Sequence, residues 1–353
     1  MPTLCVITIK IANFGNTNSF DMKKDIALVL SSGGPRGIAY IGAIEELLAR
    51  GYNIHSVAGT SMGSLVGGVF AAGKLQEFKE WITSLDGWNV FSLMDLSISK
   101  NHFVKGDKII EAIKQVVPDV EIENLNIPYC AVATDLCTGE EVVFRSGKLF
   151  EAIRASISIP TLFRPVEHGM SMLIDGCMVN CLPSNRVVRK DGDMLVAFDV
   201  NYMDPAALRA AVLREQVENA AQQAFYAQTR EQAAEILAEF KEQKSVGVID
   251  RLYSAGAKAL ELVGRVRDFR KVSEAKSDVD FGDTYMSIID RSFSIMNHHQ
   301  TAMMLEDYPP QILVRMPFDA YGDIADYAKA AEISERGRKL MAEALDRYEA
   351  ENL

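Results

Sequence analysis

Short apolar runs alternate with glycine-rich turns in the first part of the chain. The run over 26–30 is apolar and bounded by serines and glycines, which predicts a buried strand. Apolar residues then recur at helical spacing over 38–48, and Gly51 is placed to end that helix. A second strand is predicted over 54–59, and a second helix after Ser61. This alternation is typical of a parallel α/β sheet.

The remaining pattern adds strands to this sheet and interrupts it with a long helical block. We predict an α/β protein with a mostly parallel central sheet, in which the helical block is an insertion. The other predicted strands cover 129–135, 140–147, 170–175, 194–200 and 311–315, and predicted helices cover 148–157, 204–272 and the C-terminal end. The corresponding division is an N-terminal extension over 1–23, a core over 24–203, an insertion over 204–285 and a completing segment over 286–353.

Composition narrows the class of protein. The chain has 353 residues, of which 48% are hydrophobic, so a large buried core is feasible. Its net charge of -11 disfavours nucleic acid as a partner and general attraction to anionic membranes. Five cysteines, among them Cys177 and Cys181, are interpreted as free thiols rather than a disulfide framework. We expect a cytoplasmic protein without a signal peptide or a membrane-spanning helix, and Met22 is an alternative start.

The stretch "VAGTSMGSLVGG" places Ser61 between Gly59 and Gly63 in a G-x-S-x-G pattern. A sharp strand-to-helix turn of this kind, a nucleophile elbow, exposes a serine hydroxyl, and its crowded backbone requires small neighbours. The hydroxyl still needs a base to become a nucleophile. Two interpretations therefore stay open for this motif alone, a catalytic serine and a glycine-rich structural turn.

A second glycine loop, "SSGGPRG", also lies between a strand and a helix. The backbone N–H groups of Gly33, Gly34 and Arg36 are candidate donors to an oxyanion, since glycine lets a ligand approach closely. The spacing is neither the G-x-G-x-x-G of dinucleotide-binding proteins nor a P-loop. A plain turn remains the alternative.

The base is the third part that the motif requires. Five histidines are present, and Ser61, Asp175 and His298 follow the chain order of an α/β-hydrolase triad. However, His298 and His299 lie in a helical pattern, which favours a solvated or packed helix face. Asp175 ends a predicted strand, where α/β sheets present catalytic groups, and a carboxylate can itself act as base. A turn-forming aspartate is the alternative.

Together these motifs resemble the patatin-like phospholipase family. The resemblance rests on "LSSGGPRGIAYIGAIEELLARG", "VAGTSMGSLVGG", "ATDLCTGEEVVF", "AIRASISIPTLFRPV" and "IDGCMVNCLP", in the order of the family. It implies a three-layer α/β/α fold and a Ser61–Asp175 dyad that hydrolyses acyl esters of lipids through an acyl-enzyme. It also implies an oxyanion hole at the glycine loop, and neither metal nor cofactor. Carboxylesterase action on small soluble esters and a non-catalytic regulatory role are the alternatives.

Two positions depart from the family pattern, and one segment bears on membranes. Ser32 stands where many relatives have a third glycine, and Cys177 where glycine or alanine follows the Asp-Gly pair. Asp135 belongs to the family pattern and is interpreted as structural.

Residues 246–272 form a basic amphipathic stretch. Two interpretations stay open for it: a lid or peripheral membrane contact, and a helix packed on the domain. The sequence leaves the oligomeric state unknown.

Overall fold

The computed structural model of the protein describes residues 25–87, 106–160, 162–242, 285–322 and 324–352, with the single positions 90, 92, 258 and 261. An eight-stranded sheet lies at the centre of this part. Its strands are β1 Asp25–Leu30, β2 Asn53–Thr60, β3 Tyr129–Asp135, β4 Glu141–Phe144, β5 Val166–His168, β6 Ser171–Asp175, β7 Met194–Tyr202 and β8 Ile312–Pro317.

Helices connect and cover the strands. The α-helices of the described ranges are α1 Ala39–Ala49, α2 Met62–Ala71, α3 Leu75–Thr83, α4 Asp107–Lys114, α5 Leu149–Ser156, α6 Pro205–Glu242, α7 Tyr285–Asp307 and α8 Ala330–Asn352. Short 3-10 helices cover Gly34–Ile38, Ile122–Asn124, Gly176–Met178 and Ile324–Lys329.

The sheet is mostly parallel. Its strand order is β5-β6-β3-β2-β1-β7-β8, and β4 also pairs with β3. The strands β3, β2, β1, β7 and β8 are parallel, whereas β4 and β6 run antiparallel to β3 and β5 antiparallel to β6. The carboxyl ends of β1 and β2, which the glycine loop and Ser61 follow, therefore lie at the same edge of the sheet.

Both faces of the sheet are covered, which gives three layers. The larger core joins Ile26, Leu28 and Leu30 of β1 to buried side chains of α1, α2, α5 and α8. On the other face, Ala27 and Val29 pack with residues of the segment after β6, and Leu305 of α7 packs against this second core. The predicted three-layer α/β/α fold with a mostly parallel sheet is confirmed.

The first and last described helices meet backbone to backbone. A Cβ atom on Gly42 of α1 would overlap the carbonyl oxygen of Ser334 in α8, and one on Gly337 of α8 would overlap that of Ala39. Glycine at both positions lets the two helices approach more closely than larger side chains would allow. The C-terminal helix is therefore part of the central layer structure.

Some elements were not predicted, and some predictions fall outside the described ranges. Helices α3 and α4 and strand β5 had no counterpart in the sequence analysis. The extension over 1–23 and the amphipathic stretch over 246–272 lie outside the described residues, apart from positions 258 and 261 of the latter. The division of the chain into four parts stays a prediction. In the part of the chain that is described, the helices lack the combination of length and hydropathy that a bilayer span requires.

Candidate active site

Ser61 occupies a strained turn between β2 and α2. Its φ of 55° and ψ of -123° are unusual for a residue other than glycine, at a cost of about 1–3 kcal/mol. A Cβ atom on Gly59 would overlap the backbone of Gly63, and one on Gly63 would overlap the carbonyl oxygen of Leu30. The two glycines thus let the turn pack against itself and against β1. Although Ser61 is the N-cap of α2, its hydroxyl makes no capping bond, which leaves the hydroxyl available for chemistry.

Hydrogen bonds with buried serine side chains hold the backbone of this turn. The Ser61 N–H donates to Ser156 Oγ at 2.9 Å, and the Ser156 hydroxyl donates to the carbonyl of Val132 at 2.6 Å. The hydroxyl of Ser64 donates to the Ser61 carbonyl at 2.6 Å. Ser156 is fully buried at the end of α5. It therefore fixes Ser61 to β3, and the Ser61 N–H is already bonded and is not a candidate oxyanion donor.

Strand register brings Asp175 to Ser61. Thr60, which precedes Ser61, pairs with Val132 of β3, and Asp175 pairs with the next residue, Ala133. Successive residues of a strand are about 3.3 Å apart, so the end of β2 and the end of β6 meet on β3. The Asp175 N–H also donates to Ser158 O at 2.9 Å.

The Asp175 carboxyl is buried and only partly bonded. Its Oδ1 accepts from the Cys177 N–H at 2.9 Å, whereas Oδ2 accepts no hydrogen bond from the described residues. Burial raises the pKa of Asp175 to about 6, and the Ser61 hydroxyl and the Cys177 N–H partly offset that rise. The Ser61 side chain is thus close enough to act on this carboxyl. A carboxyl with a pKa near 6 is mostly ionised at neutral pH and is basic enough to accept a proton.

The glycine loop lies beside these two residues at the same sheet edge. Gly34 has a φ of 53° and begins the 3-10 helix Gly34–Ile38. The N–H groups of Gly33 and Gly34 donate to no backbone or side-chain acceptor in the described ranges. Arg36 lies in this 3-10 helix, and its Nη1 donates to the carbonyl of Phe318 at 2.5 Å. The loop is thus fixed to the chain that follows β8.

Residues 28–185 match the family model described as patatin-like phospholipase. This part of the chain belongs to the patatin-like phospholipase family. The matched range contains every residue that the sequence analysis proposed for the site, from Gly33 to Asp175. At the level of the family, the match supports a lipid hydrolase.

Two relatives are similar to this part of the chain. An uncharacterized NTE family protein of Mycobacterium tuberculosis (strain ATCC 25618 / H37Rv) is 44% identical over 186 residues, which are 53% of this chain and 52% of that protein. Lysophospholipase NTE1 of Debaryomyces hansenii is 30% identical over 189 residues, 51% of this chain and 12% of that protein. The chain therefore spans about half the length of the first relative. The crystal structure of VipD from Legionella pneumophila aligns with a TM-score of 0.35 and 14% identity, covering 90% of this chain and 67% of VipD.

A tyrosine from outside the matched range also lies close enough to the site to be influenced by the charges of Arg36 and Asp175. Tyr327 lies in the 3-10 helix Ile324–Lys329, which packs on the 3-10 helix of the glycine loop. Burial raises the pKa of Tyr327, the charge of Arg36 opposes that rise and the charge of Asp175 adds to it. No motif marks this tyrosine in the sequence, because only the packing of the C-terminal segment brings it near Asp175.

The histidines of the described ranges have partners elsewhere. His298 accepts a hydrogen bond from the Met203 N–H at 3.3 Å, as expected for a packed helix face. Burial lowers the pKa of His298, and His299 and Arg315 lower it further. His55 bonds to Asp193 at 2.5 Å near the start of β2, and His168 packs on the ring of Phe144. No interaction between one of these histidines and Ser61 or Asp175 is found in the described part of the patatin-like domain.

Of the other polar residues, Asp135 is bonded to its own turn and to β6. Its carboxylate accepts from the Cys137 N–H at 2.8 Å and from the Ser171 hydroxyl at 2.6 Å, and these bonds lower its pKa. Cys177 and Cys181 are buried free thiols, as predicted. Among the described residues, no group of three or more histidine, cysteine, aspartate or glutamate side chains is arranged to hold a metal ion.

Proposed function

We propose that the protein is a serine hydrolase that cleaves acyl esters of lipids, with Ser61 as nucleophile and Asp175 as its base. One observation carries this proposal. A strained serine whose hydroxyl makes no capping bond lies next to a buried carboxylate that has one oxygen without a hydrogen-bond partner among the described residues. Structural turns rarely keep both strain and a buried carboxylate oxygen without a hydrogen-bond partner, since each costs free energy.

The proposed reaction needs only residues of this chain. Oδ2 of Asp175 accepts the proton of the Ser61 hydroxyl as Oγ attacks the ester carbonyl. The N–H groups of Gly33, Gly34 and Arg36 stabilise the negative charge on the carbonyl oxygen. The alcohol leaves with the proton from Asp175, and an acyl-enzyme on Ser61 remains. Asp175 then takes a proton from water, whose oxygen attacks the acyl carbonyl. As the fatty acid leaves, Asp175 returns that proton to the Ser61 Oγ, which restores the starting enzyme. We propose that neither a metal nor a cofactor takes part.

The substrate class is inferred from the family. The description of the family as phospholipase and the name of the relative Lysophospholipase NTE1 favour a phospholipid, a lysophospholipid or a neutral lipid. Such substrates lie in membranes or micelles, so we propose peripheral contact with a lipid surface. The net charge of -11 argues against nucleic acid as a partner.

A second candidate function has one observation in its favour. Ser61 is only 3% exposed and Asp175 is fully buried, and a closed site of this kind suits a small soluble ester. A carboxylesterase would prefer short p-nitrophenyl esters as monomers, whereas a lipid hydrolase gains activity when long-chain substrates form micelles. A panel of chain lengths below and above the micelle concentration separates the two.

Paired variants test the dyad. We expect Ser61→Ala and Asp175→Asn each to lower p-nitrophenyl ester hydrolysis by at least about 10³-fold while the protein stays folded. Ser184→Ala is a matched control, because Ser184 is buried and its hydroxyl has no partner among the described residues. Asp135→Asn is a second control, because Asp135 also ends a strand but is not part of the proposed dyad, so this variant should stay active.

Covalent labelling separates catalysis from a regulatory role. A fluorophosphonate probe should label the wild-type protein at Ser61, which mass spectrometry of the peptides can locate. If the wild-type protein is not labelled and hydrolyses no ester, the protein is a non-catalytic member of the family. Full activity of either dyad variant would refute the assignment of that residue.

A further inference from the structure

Ser32, at the start of the glycine loop, makes a side-chain contact with the segment that follows Asp175. Its Oγ lies 3.1 Å from the Sγ of Cys181, and its N–H donates to the Cys181 carbonyl at 3.0 Å. Cys181 belongs to the segment that follows Asp175, and Ser32 directly precedes Gly33. Two contacts therefore join the glycine loop to the segment of the base.

Asn201, near the end of β7, bonds to both Ser32 and Cys181. Its Nδ2 donates to the Ser32 carbonyl at 2.7 Å and lies 3.2 Å from the Sγ of Cys181. The same nitrogen lies 3.3 Å from the hydroxyl of Ser31, which also accepts from the Val200 N–H at 3.1 Å. Ser32, Cys181 and Asn201 thus form one cluster, the Ser32–Cys181–Asn201 cluster.

The cluster is buried and uncharged. Its three side chains are 1–3% exposed. Burial raises the pKa of Cys181 to about 12, although the hydrogen bond with Ser32 opposes the rise. Cys181 therefore stays a neutral thiol at physiological pH, which suits a hydrogen-bonding role and not a nucleophilic one.

We propose that Ser32, Cys181 and Asn201 are positioning residues that hold the N–H groups of Gly33 and Gly34 at a fixed place relative to Asp175. The inference rests on the proposed function. An oxyanion hole works because its donors are already in place when charge develops, and misplacement by about 1 Å can cost about 10²-fold in rate. A loop that starts with serine gains this rigidity from the side-chain bonds, where a glycine would offer none.

Kinetics of cluster variants test the proposal. We expect Cys181→Ala and Asn201→Ala each to lower kcat about 10- to 100-fold for a monomeric p-nitrophenyl ester, with KM changed less than about twofold. The affinity for a trifluoromethyl ketone, which forms an oxyanion when the serine adds to it, should fall by the same factor as kcat/KM. Cys181→Ser keeps a hydrogen-bonding side chain and should restore most of kcat.

The matched control is Cys130→Ala. Cys130 is also a buried thiol, on β3, and its Sγ lies 3.5 Å from the carbonyl of Arg186. The Cys130→Ala variant should leave kcat and the affinity for the trifluoromethyl ketone unchanged, although it loses a buried thiol just as Cys181→Ala does. Thermal unfolding of each variant identifies a loss that is merely structural. If Asn201→Ala does not fold, Ser32→Ala, which removes only a hydroxyl, carries the same test.

Three results would overturn the positioning role. The first is that Cys181→Ala and Asn201→Ala both keep the wild-type kcat. The second is that kcat falls without a fall in affinity for the trifluoromethyl ketone. The third is that kcat falls as much in Cys130→Ala as in Cys181→Ala. These outcomes require an active wild-type protein, which separates them from failure of the proposed function. A wild-type protein that hydrolyses no ester and takes no fluorophosphonate overturns both proposals.

Discussion

Replacing the proposed base should make the protein more stable. The pKa of Asp175 is raised from an ordinary value of 3.8 to about 6, with burial as the main cause. The folded protein therefore holds the ionised carboxylate less readily than the unfolded chain does. Below the ordinary pKa both states are protonated, and the carboxyl has no effect on stability. Above about pH 6 the ionised form destabilises the fold by the full amount.

The expected magnitude follows from the shift. About two pKa units at about 1.4 kcal/mol each give about 3 kcal/mol at neutral pH. Because the carboxyl is fully buried, screening by solvent does not reduce this figure much. Asp175→Asn removes the charge and keeps an oxygen that can accept from the Cys177 N–H. We therefore expect the variant to be inactive and to gain about 1 to 3 kcal/mol in free energy of unfolding above about pH 7.

Urea unfolding of wild type and Asp175→Asn across a pH series measures this effect. The stability advantage of the variant should grow by about 1.4 kcal/mol between about pH 5 and about pH 8, since part of the cost is already present at the lower pH. Circular dichroism at each pH gives both free energies under identical conditions. An advantage that does not change with pH, or a variant less stable than wild type at about pH 8, would refute the argument that burial raises this pKa.

Three further predictions follow from the same structure. The kcat/KM for a monomeric ester should fall as pH drops through about 6, because the base must be ionised, with about 10-fold less activity at about pH 5 than at about pH 7. A pH profile that is flat would argue against Asp175 as the base. Gly337→Ala places a Cβ atom on the carbonyl oxygen of Ala39 and should lower the free energy of unfolding, measured by thermal unfolding, by about 1–3 kcal/mol. In the control Gly87→Ala the added atom meets open space, so the loss should be less than about 1 kcal/mol. Equal losses would contradict close packing of α1 and α8. Burial alone would raise the pKa of Asp193, but hydrogen bonds from the Lys190 N–H, Arg189 and His55 outweigh burial and lower it. Asp193→Asn should therefore be less stable than wild type at neutral pH, and the difference in free energy of unfolding should shrink in acid. Urea unfolding at two pH values checks the sign of this change.

Local chemistry made much of the fold predictable. Strand β1 is an apolar run between polar turns, and α1 has helical spacing followed by Gly51, so neither depends on distant residues for recognition. Motif identity likewise marked Ser61, Asp175 and the glycine loop. Helix α3 was not predicted, although Phe78 and Ile82 are spaced as one buried helical face.

Features that depend on tertiary contacts were not predictable. The register that places Asp175 opposite Ala133 is set by strand pairing across a long stretch of sequence. The bond from the Ser61 N–H to Ser156 requires α5 to end beside the elbow, and the position of Tyr327 requires the C-terminal segment to pack on the glycine loop. No composition or period in a single sequence carries such information. The roles of Gly33, Gly34 and Arg36 as oxyanion donors stay a prediction.

The position of β1 between β2 and β7 has a consequence for biosynthesis. As the polypeptide leaves the ribosome, β1 and β2 emerge early, whereas β7, the neighbour on the other edge of β1, is among the later segments. Until then one edge of β1 has no partner, although Ser156 and Asp175 precede β7 in the chain and have already been translated. We therefore expect a nascent chain to need protection of that open edge until translation has passed Asn201.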